Sequence, residues 1–503
     1  MKALRAAHVV VDLGFGDAGK GTLTDWLVRR HEARLVVRFN GGAQAGHNVV
    51  TDDGRHHTFS QLGAGTFVPG VATHLAHSTV FHPLALHVEA QYLADSGVPD
   101  GLSRVTVSER ARVITPFHQA VGRLRELSRG ANRHGTCGVG VGETVRDALA
   151  HPEATVLAGD LCRPAVLLRK ARAAQERLRA EVADLRRSAM GRPDAAQERL
   201  HSEAADVRRS LLGSPDAARE RLHSEAADVR RSARVHPDAA QELELLEDSD
   251  IPARWVEAVR VIHPEQRVVG DDWLGAQLRQ GHTVFEGAQG VLLDEWRGFH
   301  PHTTWSTCTF EPALALLREQ GFDGDVHRLG VLRAYATRHG EGPFPTEEPS
   351  LAPSVPEPHN TAEGWQGGFR VGAFDAVLGR YALQVCGGVD SLAVTHVDRL
   401  TPHWSVCSAY HAPPGSPEDE ALVLRDAAGR ITTLRPGAAQ DLAWQARLTG
   451  TLARCAPERT TLALGDPADT RTQRFVTWVE ENLGVRVSVT SQGPRARDKR
   501  SRG

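Results

Sequence analysis

The chain has 503 residues, a formal net charge of -3 and 41% hydrophobic residues. That length supports a sizeable buried core and two or more structural units, and the near-neutral charge argues against a nucleic-acid partner. No stretch reaches the 18 apolar residues that a membrane span needs, and no apolar h-region follows Met1–Ala7, so neither a membrane anchor nor a signal peptide is expected. The six cysteines (Cys137, Cys162, Cys308, Cys386, Cys407 and Cys455) are scattered and form no C-x-x-C pair. That spacing speaks against a structural zinc site and for a reducing cytoplasm.

The first element is the apolar run Val9-Val10-Val11, a predicted buried strand. It enters the turn Gly14-Phe15-Gly16-Asp17-Ala18-Gly19-Lys20-Gly21-Thr22, and a helix is predicted over Leu23–Arg30. Strand, glycine turn and helix N-terminus together form a phosphate cradle, in which backbone N–H groups and the helix dipole favour anionic oxygens. Gly14-x-x-x-x-Gly19-Lys20 has P-loop spacing, but Gly21 stands where a P-loop has the Ser or Thr that holds Mg²⁺. Asp17 is unusual there, because a carboxylate repels phosphates unless it binds the metal or moves a proton.

A second strand, Leu35–Phe39, runs into a second glycine turn, Asn40-Gly41-Gly42-Ala43-Gln44-Ala45-Gly46-His47. Ligands of α/β sheets bind beyond the carboxyl ends of the strands, which places Asp17 and His47 on one crevice. Helices are predicted over Leu84–Asp95 and Glu109–Ser128, followed by a third glycine-rich loop, Arg129–Glu143. Pro-Asp-Ala-Ala then recurs at Pro193, Pro215 and Pro237, and Glu-Arg-Leu at Glu176, Glu198 and Glu220, both every 22 residues. Each unit carries a narrow apolar stripe and opens on Pro-Asp, so the repeats predict short helices with breaks that project from the main body.

Further strands are expected at Thr283–Phe285, before Glu286-Gly287-Ala288-Gln289-Gly290, and at Gly330–Tyr335, before Thr337–Glu347. A hydroxyl-rich loop spans Pro301–Thr307. Leu351–Glu357 is expected to be loop, Asp375–Cys386 a helix, Leu392–Asp398 a strand and Val485–Thr490 the last strand. The basic segment Arg495–Arg502 reads as a solvated end.

With these motifs in view, the chain resembles the adenylosuccinate synthetase family from about residue 8 to 495, interrupted by the repeats. Gly16–Gly21, Gly41–His47, Phe285–Gly290 and Ala336–Glu347 carry the resemblance. It implies an α/β, P-loop-like GTPase-related fold with a large central, mostly parallel sheet. Residues 1–170 and 246–503 would form the catalytic domain, and 171–245 an inserted helical segment. It also implies a Mg²⁺-dependent, GTP-dependent ligase that phosphorylates the 6-oxo group of a purine nucleotide such as IMP and couples L-aspartate to it.

By the same resemblance, Asp17 is the general base and a Mg²⁺ ligand, and the Gly46 carbonyl is a second ligand. His47 acts on the transferring phosphoryl group, while Lys20 with Gly16, Gly19, Gly21 and Thr22 holds phosphate. Gln44, Cys137, Gln289 and Thr304 hold the acceptor nucleotide, and Asp398 and Gly493 read guanine. Trp365, Gln366 and Arg370 occupy the loop that grips the amine substrate. The family's homodimer, with an arginine crossing to the neighbouring subunit, is implied too; Arg146 lies nearest that position.

The chain departs from the family pattern at Ala18, Gln44, Cys137, Val139 and His396. Its amine loop, Gly364–Arg370, keeps one arginine where several are usual. Two other readings therefore stand beside the first. One is a paralogue using another nucleotide (such as dGMP), donor or amine in modified-nucleotide or nucleoside-antibiotic synthesis. The other is a catalytically silent nucleotide-binding protein.

Overall fold

The computed structural model describes residues 5–129, 136–190, 239–357 and 368–502, with side chains of the helix Pro164–Met190 followed to residue 185. A ten-stranded sheet organises them. Its strands in chain order are β1 (Ala6–Asp12), β2 (Leu35–Arg38), β3 (Ala72–Leu75), β4 (Val105–Ser108), β5 (Val268–Val269), β6 (Thr283–Glu286), β7 (Asp325–Arg333), β8 (Ser391–Thr395), β9 (Val487–Ser491) and β10 (Lys499–Ser501). Across the sheet the order is β10-β9-β8-β7-β1-β6-β2-β3-β4-β5. Every neighbouring pair is parallel except β9 with β10. This is the α/β, mostly parallel architecture that the sequence predicts.

All seven residues of β1 are buried. A parallel strand covered on both faces reads as a continuous apolar run, and Val9-Val10-Val11 meets that condition. Alternation then divides the run between two cores. Val9 and Val11 join Val37 and Phe285 under the helix Ala376–Val385. Val10 joins Val36, Val284 and Val331 beneath Leu23, Leu27 and Val28 of α1 (Lys20–His31). Burying Leu23 and Leu27 contributes roughly 1.5–3 kcal/mol each, so the helix that begins at the phosphate loop is fixed from below.

A third core gathers residues from 49 to 262, including α2 (Pro83–Asp95), α3 (Pro116–Ser128) and α5 (Pro164–Met190); α4 (Val141–Ala150) packs beside them. The two ends of the expected insertion belong to it. Ala171, Ala174, Leu178 and Val182 are buried on one side, and Leu243 and Leu246 on the other. Arg123 pairs with the buried Glu242 at 2.7 Å. The first Glu-Arg-Leu unit, at Glu176, thus packs into the main body through Leu178; the units on residues 191–238 lie outside the described residues.

Three sequence expectations change. The helix expected from Glu109 starts at Pro116, because Arg112–Val113 pairs with Val80–Phe81 and the Thr115 hydroxyl caps the His118 N–H. Pro116, which has no N–H to satisfy, suits the first turn. Leu351–Glu357 is not wholly loop, since a 3-10 turn spans Pro349–Ser354. The basic tail is not a solvated end: β10 pairs with β9, and Lys499 is buried.

Candidate active site

The phosphate loop is held from several directions. Asp12, at the end of β1, accepts from the N–H of Gly14 at 2.8 Å, from the N–H of Ala18 at 2.9 Å and from Lys20 Nζ at 3.0 Å. The Thr395 hydroxyl donates to the Ala18 carbonyl at 2.8 Å, and Arg333 Nη1 donates to the Asp17 carbonyl at 3.1 Å. Lys20 and Asp12 are both fully buried, so the ammonium enters the site with a fixed counter-charge. Lone removal of either partner from such a pair costs about 3–5 kcal/mol.

Two glycines explain the close approach of the loops. A Cβ on Gly21 would lie 2.8 Å from His47 Cβ, so the residue that replaces the P-loop hydroxyl makes room for the second glycine turn. A Cβ on Gly290 would lie 2.2 Å from the Gly14 carbonyl oxygen, so the Glu286–Gly290 loop can rest directly on the phosphate loop backbone.

Asp17 adopts φ 60° and Gln289 φ 54°, with His396 at 58° beyond β8. Each follows the carboxyl end of a sheet strand. Such left-handed backbone in non-glycine residues costs about 1–3 kcal/mol and clusters at functional sites.

His339 Nε2 lies 2.9 Å from Asp17 Oδ2, and the Asp17 side chain stays 34% exposed. Burial pushes its carboxyl up, but the His339 hydrogen bond and the charges of His339, Arg333 and Lys20 outweigh this and hold it at about 2. Asp17 is therefore ionised at neutral pH. His47 Nδ1 lies 2.6 Å from Glu286 Oε1, and Glu286 Oε2 accepts from the Ala64 N–H at 3.0 Å. Burial lowers the His47 pKa, with Glu286 opposing it and Arg38 and Lys20 adding to it. The ionised Glu286 assigns the Nδ1 proton of the neutral imidazole and fixes the direction of Nε2.

The positions expected to hold an acceptor nucleotide come together. Asn40 receives the Ala288 N–H at 2.7 Å and donates to the Thr307 carbonyl at 2.9 Å, and Ser306 Oγ accepts from the Gly41 N–H at 2.8 Å. These bonds bring the loops of Gln44, Gln289 and Thr304 to one place. Cys137 packs on the apolar cluster of Ala43, Val139 and Val141 behind them, and burial raises its thiol pKa. Gln44 Oε1 and Gln289 Oε1 are buried and make no hydrogen bond among the described residues. Two unpaired amide oxygens at the rim of a phosphate cradle suit a polar ligand with donors, since leaving them unmatched costs about 1–3 kcal/mol each.

Beyond β8 and β9, Asp398 is exposed, and the Gly493 carbonyl accepts from Lys499 Nζ at 2.9 Å. Lys499 also donates to the hydroxyl of Thr22, which itself donates to the Pro494 carbonyl at 2.6 Å. The Thr22 side chain thus ties the phosphate loop to the expected guanine-reading segment. Burial lowers the Lys499 pKa to about 8 against the pull of Asp498, Asp25 and Asp398. Lys499 was missed because it looks like any lysine in a basic tail.

The amine side differs. Trp365 and Gln366 lie outside the described residues. Arg370 is committed to its own loops: Nη1 pairs with Glu347 at 2.9 Å, and Nη2 donates to the carbonyls of Gly340 at 2.7 Å and Gly342 at 3.0 Å. Arg338 is buried, donates to the carbonyls of Glu341 at 3.0 Å and Pro343 at 2.8 Å, and stacks over Phe15 at 4.2 Å. Arg333 binds Tyr335 and Glu357. Arg146 pairs with Glu143 at 2.8 Å and Glu181 at 2.7 Å within its own chain.

A parallel sheet with a phosphate loop, an ionised carboxylate inside that loop and an acid-paired histidine beside it define a nucleotide-dependent enzyme of the phosphoryl-transfer class. The family model described as adenylosuccinate synthetase matches residues 9–229 and 207–500, its two segments overlapping by about one repeat. The chain belongs to the adenylosuccinate synthetase family, whose members are Mg²⁺-dependent ligases that form a carbon–nitrogen bond. The adenylosuccinate synthetase of Polaromonas sp. is 29% identical over 97% of this chain and 94% of its own length. That of Nitrosomonas europaea is 30% identical over 78% of this chain and 77% of its own.

Among solved structures, fully ligated adenylosuccinate synthetase from Plasmodium falciparum superposes with a TM-score of 0.66 at 16% identity, covering 100% of both chains. Cyanophage S-2L succinoaminodeoxyadenylate synthetase, bound to dGMP and to dATP as energy donor, gives 0.51 at 15% identity, covering 99% of this chain and 95% of its own. No helix among the described residues is long and apolar enough to cross a membrane.

Proposed function

We propose that the protein is a cytoplasmic, GTP-dependent ligase that activates the 6-oxo group of IMP or a close analogue by phosphorylation. L-Aspartate then displaces the phosphate, giving adenylosuccinate, GDP and phosphate. The observation that carries this reading is the meeting of Asp17 and Lys20 on one loop with the His47–Glu286 pair against Gly21.

In this reading the ionised Asp17 takes the proton from N1 of the purine, which puts negative charge on the 6-oxygen and makes it the nucleophile. Lys20 and the N–H groups from Gly16 to Thr22 neutralise the donor phosphates. An incoming phosphate dianion, added to Glu286, favours the His47 imidazolium. Its Nε2 proton then stabilises the oxygens of the group in flight. Asp17 and the Gly46 carbonyl would hold Mg²⁺. Both offer hard oxygen ligands, as that ion requires, and it would supply charge neutralisation between donor and acceptor. Gln44, Gln289, Thr304 and Cys137 would frame the acceptor, and Asp398 with the Gly493 backbone would read the donor base. A homodimer and the division into 1–170, 171–245 and 246–503 complete the proposal.

A specialised paralogue is the second reading, favoured by Arg370 being spent on Glu347 and by His396, which lies beyond β8 on the base-reading side. Phosphate release measured across IMP, GMP and dGMP, with GTP or ATP and a panel of amino acids, separates the two. Turnover with IMP, GTP and aspartate, abolished by Asp17→Ala, supports the first reading. Turnover confined to another combination supports the second, and firm nucleotide binding without turnover anywhere overturns both.

A further inference from the structure

The opposite, amino-terminal end of the sheet holds a group of histidines that the ligase chemistry does not use. His8 lies in β1, His282 immediately precedes β6, and His31 is the last residue of α1. His327 lies in β7 directly across from His8 in the parallel register. Their rings crowd together: His8 stands 4.1 Å from His31, 5.5 Å from His282 and 5.1 Å from His327, centroid to centroid. His8 Nε2 and His282 Nδ1 are 3.3 Å apart, and ligand nitrogens of His8, His31 and His282 all lie within 4.8 Å of one another.

We propose that His8, His31 and His282 form a three-histidine binding site for a divalent transition-metal ion of the zinc type, with a fourth position left for solvent. Zinc–imidazole bonds of about 2.0–2.1 Å set tetrahedral ligand nitrogens about 3.3–3.4 Å apart, which is the His8–His282 separation. His31 and His282 are half-buried, so small rotamer changes close the remaining gap.

Two features support the assignment. Imidazole binds zinc, cobalt and nickel well, whereas Mg²⁺ takes oxygen, so this site is chemically separate from the catalytic one. The carboxyl end of α1 also presents the negative end of its dipole to a cation. The same twelve-residue helix starts at the phosphate loop, so a metal here would anchor its far end, about 18 Å away.

The test uses untagged full-length protein, stripped with a chelator and kept in excess Mg²⁺. Co²⁺ is titrated in while d–d absorption is followed, and Zn²⁺ is then used to displace it. The expected result is one equivalent bound with the intense bands of a tetrahedral nitrogen site, retained in Asp17→Asn. His31→Ala and His282→Ala, at half-buried positions, should each weaken binding at least 10-fold while keeping the circular dichroism of the parent. Absence of such bands up to millimolar Co²⁺ overturns the proposal and leaves a packed group of histidines. Bands that survive both histidine variants overturn it as well.

Discussion

The two sides of the candidate site are built differently. On the phosphoryl side, Asp17, Lys20 and His47 each meet a partner side chain, His339, Asp12 and Glu286 respectively, and those partners fix their aim. On the amine side, Arg338 and Arg370 are spent on loop carbonyls and on Glu347. The first side is prepared for a reaction, and the second is braced as a wall. Where the guanidinium groups of Arg338 and Arg370 are tied is therefore the feature on which the two proposed readings differ.

The sharpest way to break this contrast is at Asp17. Asp17→Ala should lower kcat on the order of 10³-fold while GDP binding, followed by calorimetry, changes little. Retained turnover would show that Asp17 takes no part in the reaction. Next in size is Glu286→Gln, expected to lower kcat about 10²-fold. In the proposed mechanism His47 works as the imidazolium, so activity is expected to fall as pH rises through its pKa. Loss of Glu286 lowers that pKa further, and the limb of the pH–rate profile should move to lower pH.

Arg370→Ala tests the other side. A wall role predicts a rise of about 10-fold in the amine KM, the size of one or two charge-assisted bonds, with the GTP KM unchanged. A loss confined to kcat would show that Arg370 belongs with the reacting groups.

The last prediction concerns stability and lies outside the site. Asp375 caps the helix Ala376–Val385 and accepts from the Tyr410 hydroxyl at 2.6 Å. Burial raises its carboxyl to about 6 despite Tyr410 and the Leu378 N–H. The folded state therefore prefers the protonated form. Stability from this group is fully present below about pH 4 and is lost as pH rises through 6. Asp375→Asn should raise the unfolding free energy at pH 8 by on the order of 2–3 kcal/mol, read from denaturant melts, and change it little at pH 4. A uniform effect across pH would show that the carboxyl is not strained by burial.

What could be read from sequence follows from chain distance. The phosphate cradle and second glycine turn were legible because strand, glycines and charged residues lie within a few positions. The sheet was legible because buried parallel strands are apolar throughout. Glu286 as the partner of His47 was not, since 239 residues separate them. The four histidines come from positions 8, 31, 282 and 327, and no local spacing announces them. Arg370 was legible as an arginine in the amine loop, but Glu347, which claims it, was visible only in three dimensions.

The left-handed backbone at Asp17, Gln289 and His396 has a consequence for engineering. Glycine would relax each position, so selection for heat resistance alone would be drawn to these three codons. Asp17→Gly and Gln289→Gly would then harden the protein by deleting the groups proposed to face the nucleotide. A stabilised variant worth keeping is one in which these three residues are held fixed while the surface is free to change.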